Sequence, residues 1–441
     1  MRQRFLNFLE TIRSNYWFVP GMVLVAMVIA AEGLIRIDRL LIDSAKDLPD
    51  WVPQLRPGVA EQMLLTIANA SVALASLVFS ITLIVLTLTA GNYGPRLIRR
   101  FLSDTPTQVV LGLYTGTLVY CLLVLRSTAA VGDERFIPHL AVLGAMVLAI
   151  ADVMMLTYFV NHMSGSIHAT NMIWSVTDEL DSAIEELFPQ ELGEDEREVA
   201  LPRGSTCPET KPWMLEASRA GYLRGVDADG LMRLAKEHDL VISMPRIGTF
   251  VGPVPVAKVW RATEPDDELT DELRVQFMIG QSRTALQDVV YSLDRLVEMA
   301  ARALSPGVND PFTALTCIDH FELAFSRLAK RQFPSAERFD DEDRLRIITD
   351  PVTFDHLLKR TFDPIRQYGC GQMLVSRRLL EVLGTIVRHA RSAEHRDAAL
   401  GAAMRVWQSC SRAQADDPLL PDLEALYQDV IGAGEPKPQT A

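Results

Sequence analysis

Four stretches within the first 160 residues contain no Asp, Glu, Lys or Arg: Ser14–Ala31, Gln62–Pro95, Thr105–Leu125 and Phe136–Ala151. A helix needs about 20 predominantly apolar residues to cross the hydrocarbon core of a bilayer. The second and third windows meet that length outright. The first extends past Glu32 by Gly33-Leu34-Ile35, and the fourth past Asp152 by Val153–Val160. The pattern predicts membrane-spanning helices near 17–37, 63–90, 107–126 and 137–160. The second window exceeds what a bilayer requires, so that helix is expected to tilt or project beyond it. Arg2 and Arg4 ahead of the Ala-rich Val28–Ala31 have the outline of a cleaved signal peptide. Against cleavage, Tyr16-Trp17-Phe18 forms an interfacial aromatic belt and further spans follow, so the segment is read as a retained helix.

Beyond Val160 the pattern changes by steps. Asn161–Thr177 holds no charged residue other than His162 and His168, and it leads into an amphipathic helix with Ile173, Val176, Leu180, Ile184 and Leu187. Pro189 ends that helix, and the charged run Glu191–Glu198 is a solvated linker. Leu215–Ala217, Gly221–Val226, Leu240–Ser243, Thr249–Val251 and Val254–Trp260 are short β-prone runs punctuated by Pro and Gly, with a helix at Asp229–His238. From residue 280 the period is helical: Leu286, Val290, Leu293, Val297, Ala300 and Leu304 form one apolar stripe, with charged side chains such as Asp294 and Arg295 opposite. Pro306-Gly307 suits the centre of a type II turn, and Asp310-Pro311 marks a helix start. Phe312, Leu315, Ile318, Glu322 and Phe325 continue on one face. Helices near 352–362, 366–391 and 396–431 follow, and the tail from Gly432 reads as disordered.

The expected fold class is a mainly α membrane protein: four transmembrane helices, then a cytoplasmic small α+β module and a helical domain. The segments are 1–160 transmembrane, 161–200 amphipathic helix and acidic linker, 201–275 α+β module, 276–433 helical domain and 434–441 tail.

Charge sharpens this division. The chain of 441 residues is 49% hydrophobic with a formal net charge of -13. Residues 1–160 carry 12 Lys+Arg and 11 Asp+Glu, so the remainder holds 31 against 45 and the acidity belongs to the C-terminal part. No basic face for nucleic acid is expected. The five cysteines are scattered, with no CxxC, which argues against a disulfide framework or structural zinc. Arg2, Arg4 and Arg13 precede the first span and Arg96, Arg99 and Arg100 follow the second, while the loop after the first is acid-rich. The positive-inside rule then places both termini in the cytoplasm.

Several polar residues lie within the spans. Asn69, Ala73, Ser76, Ser80 and Thr87 share one face of the second helix, with Thr66 at its outer end. The stripe is either a small-residue packing face or the lining of a water-filled path, since hydroxyls and amides can replace part of an ion's hydration shell. Glu32 and Asp152 are costly at membrane depth unless paired or wetted. Arg36 is in register to pair with Glu32, whereas Asp152 has no basic partner in register on its own helix. Gly112 and Gly116 form a GxxxG, a close-packing signal. His162 and His168, six apart, do not share a face and read as interfacial. There is no nucleophile elbow, metal-ligand cluster or recognisable acid pair, so neither an enzyme nor a cofactor is expected. Asp340–Asp343 reads as a solvated charge run.

Arg283-Thr284 with Gln287-Asp288, then Arg302-Ala303-Leu304 running into Ser305-Pro306-Gly307-Val308-Asn309-Asp310-Pro311-Phe312-Thr313-Ala314, resembles the bacterial membrane-protein family called domain of unknown function 2254. Ala220–Leu223 with Val226-Asp227, and Gly248–Val251, are similar to its earlier motifs; Val308, where Ile is expected, departs from it. The resemblance implies a bacterial inner-membrane protein of this layout and supplies no activity. Two functions follow. One is an oligomeric ion channel or ion-translocating protein gated by its cytoplasmic part, with Asn69, Ser76, Ser80, Thr87 and Asp152 on the pathway and the pore on a symmetry axis. The other is a membrane-anchored sensor or scaffold in which Arg283, Asp288, Asn309, Asp310 and Thr313 bind a ligand or partner. Each of those five also has a structural use in a turn, a cap or an ion pair. The expected partners are the bilayer and further copies of the chain, with the ion or small ligand left open.

Overall fold

The computed structural model describes residues 17–43, 56–93, 104–128, 136–166, 169–188, 211–252, 254–261, 266–285 and 287–434. It divides into two compact units, Met1–Asn171 and Met172–Ala441. The basic residues flanking the spans (Arg2, Arg4, Arg13, Arg96, Arg99, Arg100), together with His168, Leu286 and the linker 191–198, lie outside the described residues.

The first unit is built from α1 (Phe18–Asp43), α2 (Pro57–Tyr93), α3 (Thr105–Thr128) and α4 (His139–Ser166). All four are long and apolar enough to cross a membrane. Helix α3 is the most enclosed and packs against each of the other three. Its two glycines explain part of that. A Cβ on Gly112 would stand 2.9 Å from the Cα of Pro20, and one on Gly116 would stand 2.8 Å from the Cγ of Met27, so α1 approaches to backbone contact as the GxxxG predicts. The exposed amides at the start of α4 are met by a buried carboxylate: Asp38 accepts from the backbone N–H of Leu140 and Ala141, both at 3.0 Å. Tyr120 donates to the Ala141 carbonyl at 2.8 Å across Gly144, where a Cβ would collide with its hydroxyl.

Helix α5 (Ala169–Leu187), all but its first three residues in the second unit, buries Ile173, Val176, Leu180 and Ile184 as its period predicts. Strands β2 (Gly221–Val226), β3 (Val241–Ser243), β4 (Phe250–Val251) and β5 (Ala257–Trp260), with α6 (Ala228–Glu237), fall where the predicted runs place them, while β1 (Trp213–Leu215) shares only Leu215 with its run. Helix α7 (Asp267–Val275) and strand β6 (Phe277–Gly280) follow, and then α8 (Val289–Ala303) and α9 (Pro311–Leu328). Strands β7 (Glu337–Phe339) and β8 (Leu345–Ile348) precede α10 (Phe354–Gly369), α11 (Met373–His389), α12 (Ala393–Ala413) and α13 (Leu420–Gly434). One sheet has the order β1-β5-β3-β8-β7, antiparallel except for the β3–β8 pair (Ile242 beside Ile347); the other has the order β4-β2-β6. The larger sheet thus draws strands from both sides of residue 276. A single core of Leu215, Leu223, Leu231, Ile242, Val259, Leu273, Phe277 and Ile347 lies under both sheets.

Several local expectations change. Gly307 keeps an ordinary negative φ, so the turn at Pro306 is not type II; Asn309, at φ 50, is the left-handed residue. Phe312 is 71% exposed, and α9 buries Ala314, Cys317, Ile318, Phe321, Phe325 and Leu328 instead. Pro364 lies inside α10 rather than between two helices, and the predicted helix 396–431 is two helices separated around Pro418. Gly432–Gly434 belong to α13, and the rest of the predicted tail is outside the described residues.

Candidate functional site

Two polar features of the first unit lie on opposite faces of α2. Ala60, Leu64, Ala68, Ser71, Val78, Val85 and Thr89 are buried. Asn69, Ala73, Ser76, Ser80 and Thr87 are exposed on the far side, about 180° away at 100° per residue. Among the described residues the stripe is therefore not a packing face. Three of its hydroxyls turn back to their own helix: Thr66 to Gln62 O at 2.7 Å, Ser80 to Ser76 O at 2.8 Å and Thr87 to Leu83 O at 2.9 Å. The Asn69 amide has no hydrogen-bond partner among the described residues. Apolar Val72, Phe79 and Leu83 flank the stripe on one side and Leu77, Ile84 and Leu88 on the other.

Asp152 belongs to the inner feature. It is 1% exposed, and its carboxyl oxygens meet Ser71 Oγ of α2 at 2.8 Å and Thr117 Oγ1 of α3 at 3.2 Å. The Tyr114 hydroxyl donates to the Asp152 backbone carbonyl at 3.1 Å. Asp152 and the α2 stripe, grouped on one pathway from the sequence, are thus not brought together. Ser71, which sequence reasoning missed, supplies the contact. It was legible only as a hydroxyl two residues out of phase with the stripe. Glu32 pairs with Arg126 of α3 at 2.8 Å and not with Arg36. His162 meets Asp104, the N-cap of α3, at 3.0 Å and stacks on Tyr158.

In the second unit the five motif residues separate into two groups at opposite ends of α8, a helix of 15 residues and so about 22 Å long. At its start, Asp288 caps the helix by accepting from Tyr291 N–H, and Arg283 donates from Nε to Asp288 at 2.8 Å and from an NH group to Asp294 at 2.7 Å. Arg360 of α10 closes the group on Asp294 at 2.6 Å. Burial pushes Asp288 above the usual carboxylate range, and Arg283 counters part of that shift. Gly248, at φ +91, packs its backbone on the Arg283–Asp288 pair, and Gln287 bonds both the N–H and the carbonyl of Val226. This group joins the sheets to the helices. At the other end Asp310 caps α9 by accepting from Thr313 N–H and Oγ1, and Asn309 accepts from Gln372 at 3.3 Å. The charged side of α8, opposite its apolar stripe, is closed as well: Asp294 and Arg295 are buried, and Arg295 is paired with Glu179 of α5. On the same helix α5, Thr177 contacts the His320 ring at 2.8 Å; burial holds His320 below the usual histidine range. Among the described residues no group of three or more His, Cys, Asp or Glu could hold a metal ion.

Residues 13–385 match the family described as "Predicted membrane protein (DUF2254)". The chain belongs to this family. Relatives include uncharacterized proteins of Mycobacterium bovis and Mycobacterium tuberculosis, each 30% identical over 374 residues, covering 82% of this chain and 70% of the relative. No solved structure matches. The DUF2254 motifs recognised from the sequence map onto the Gly248–Arg283–Asp288 joint and onto the α8–α9 turn. As placed here, each of these residues caps a helix, closes a turn or neutralises a buried charge.

Proposed function

We propose that this DUF2254 chain is an oligomeric ion-translocating protein of the bacterial inner membrane, with the outward polar face of α2 lining a path on the symmetry axis. The carrying observation is that Asn69, Ser76, Ser80 and Thr87 face away from the chain's own bundle at membrane depth. An amide in hydrocarbon without a partner costs roughly 2 kcal/mol or more, so Asn69 favours a position against water or a second copy. A ring of such faces offers hydroxyl and amide oxygens to a passing ion, and the flanking apolar residues suit contacts between copies or with lipid. The cytoplasmic placement of the second unit follows the arginine distribution and makes it the part available to gate the path. No catalytic step enters this reading.

The test is flux through purified protein in planar bilayers, with the mass of the particle measured in nanodiscs. Asn69→Leu and Ser80→Leu are expected to cut conductance by about tenfold or more, and Leu88→Ala to leave it. A monomeric particle, or wild-type protein without conductance, overturns the proposal.

A further inference from the structure

The inner polar node has no place in that path, and it carries its own chemistry. Asp152 lies thirteen residues after His139 and fourteen before Ser166, and Thr117 twelve after Thr105 and eleven before Thr128. At about 1.5 Å per residue each sits roughly 16–21 Å from either end of its helix, inside the hydrocarbon core. Asp152, Ser71 and Thr117 are all enclosed by α2, α3 and α4.

The groups facing the carboxyl can be enumerated. Helix α3 presents Thr117, with Tyr114 and Cys121 as its titratable neighbours. Helix α2 presents Ser71 and is free of charged residues from Gln62 onward. On α4 the histidines His139 and His162 are thirteen and ten residues away. The acids of α1 are engaged elsewhere, Glu32 with Arg126 and Asp38 with the start of α4, and Arg36 and Arg39 lie on the same part of that helix. Both described contacts on the carboxyl oxygens are therefore neutral hydroxyls. Without a cation beside it, an ionised carboxylate there is disfavoured against its protonated form.

We propose that Asp152, Ser71 and Thr117 form a proton-binding site at mid-membrane, and that the bound proton keeps α2 seated on α3 and α4. A hydroxyl both donates and accepts, so the same two oxygens serve either form. They donate to the carboxylate when it is charged. When it is protonated, one of them accepts the acid O–H and returns its own hydrogen to a carbonyl one turn back, as Ser80 and Thr115 do. One proton enters from water and one leaves to water, with no other bond made or broken. The oxygen–oxygen contacts of 2.8 and 3.2 Å are direct hydrogen-bond distances. Because the node is closed, exchange requires α2 to lift. The proposal does not depend on conduction, but it bears on it, since Ser71 is on the inner face of the helix whose outer face carries the stripe.

Full-length protein in lipid nanodiscs tests this by infrared difference spectroscopy against Asp152→Asn. The wild type should show the carbonyl band of a protonated carboxylic acid at neutral pH, lost on alkaline titration and missing from D152N. The thermal midpoint of the wild type should fall through the same pH range while D152N, neutral at every pH, stays flat. If D152N does not fold, Ser71→Ala and Thr117→Val provide the second measurement and should each move the pH at which the band is lost. A band shared equally by wild type and D152N, no such band at neutral pH, or its loss on adding sodium at constant pH overturns the proposal. None of these readouts requires ion flux, so this site and the α2 path fail separately.

Discussion

Asp340 shows how far a residue's role departs from its local composition. Within Asp340-Asp341-Glu342-Asp343 it looks solvated, yet its side chain is 4% exposed. It accepts from Arg346 Nε at 2.7 Å and from the backbone amides of Glu342 and Arg344 at 2.9 Å, closing the β7–β8 hairpin. Burial works to raise its titration point, but the Arg346 hydrogen bond and the two amides outweigh it and hold the carboxyl down at about 2. The folded form therefore binds this proton less tightly than the unfolded chain, whose carboxyl titrates at 3.8. The stability it contributes is full above that value and lost as pH falls toward 2. Replacing Asp340 by Asn should remove that share of the acid sensitivity, seen as a shallower fall of the unfolding midpoint between pH 4 and 2 in otherwise parallel titrations. Glu32 teaches the complementary lesson. Arg36 stands four residues on, but the partner is Arg126, ninety-four residues away, because α3 packs beside α1 there.

At the scale of elements, long windows without charge located the four apolar helices, and an apolar repeat every three or four residues located α5 and α8. It failed where length or environment removed the repeat. Strands β7 and β8 are three and four residues long, too short for an alternation to show. Helix α8 carries buried charges because it is covered on more than one side, a condition its own sequence does not encode. The α3 glycines are the clearest case in which spacing did predict contact. Gly116→Leu should destabilise the first unit by about 1–3 kcal/mol through overpacking against α1. Gly33→Leu, where nothing lies within 4 Å of the added Cβ, should be near neutral. Denaturant unfolding in detergent compares them, and equal effects would dismiss the close α1–α3 approach.

For the whole molecule, the decisive sequence property is the distribution of charge. Arginines before the first span and after the second, opposed by an acid-rich loop, predict that both termini share the cytoplasmic side. Reporter fusions at each terminus should be active for a cytoplasm-dependent reporter and silent for an exported one; an active exported reporter at the C-terminus would discard this orientation. The acidic excess of residues 161–441 fits the second unit, a mixed α and β body with its own core. The division of that body at residue 276 is crossed by β8, which pairs with β3. Strand pairing over such a separation depends on sheet closure rather than on any local signal.

The sequence by itself determined the four apolar spans, the helical character of most of the remainder and the cap at Asp310. Each of these follows from period, length or the chemistry of one or two neighbouring side chains. Only the tertiary structure decided that the α2 stripe faces outward, that Asp152 turns inward to Ser71 and Thr117, and that Gln287 at the start of α8 bonds the backbone of Val226. Those outcomes depend on which element faces which, and so on contacts between residues 35 to 81 positions apart, which no local pattern records.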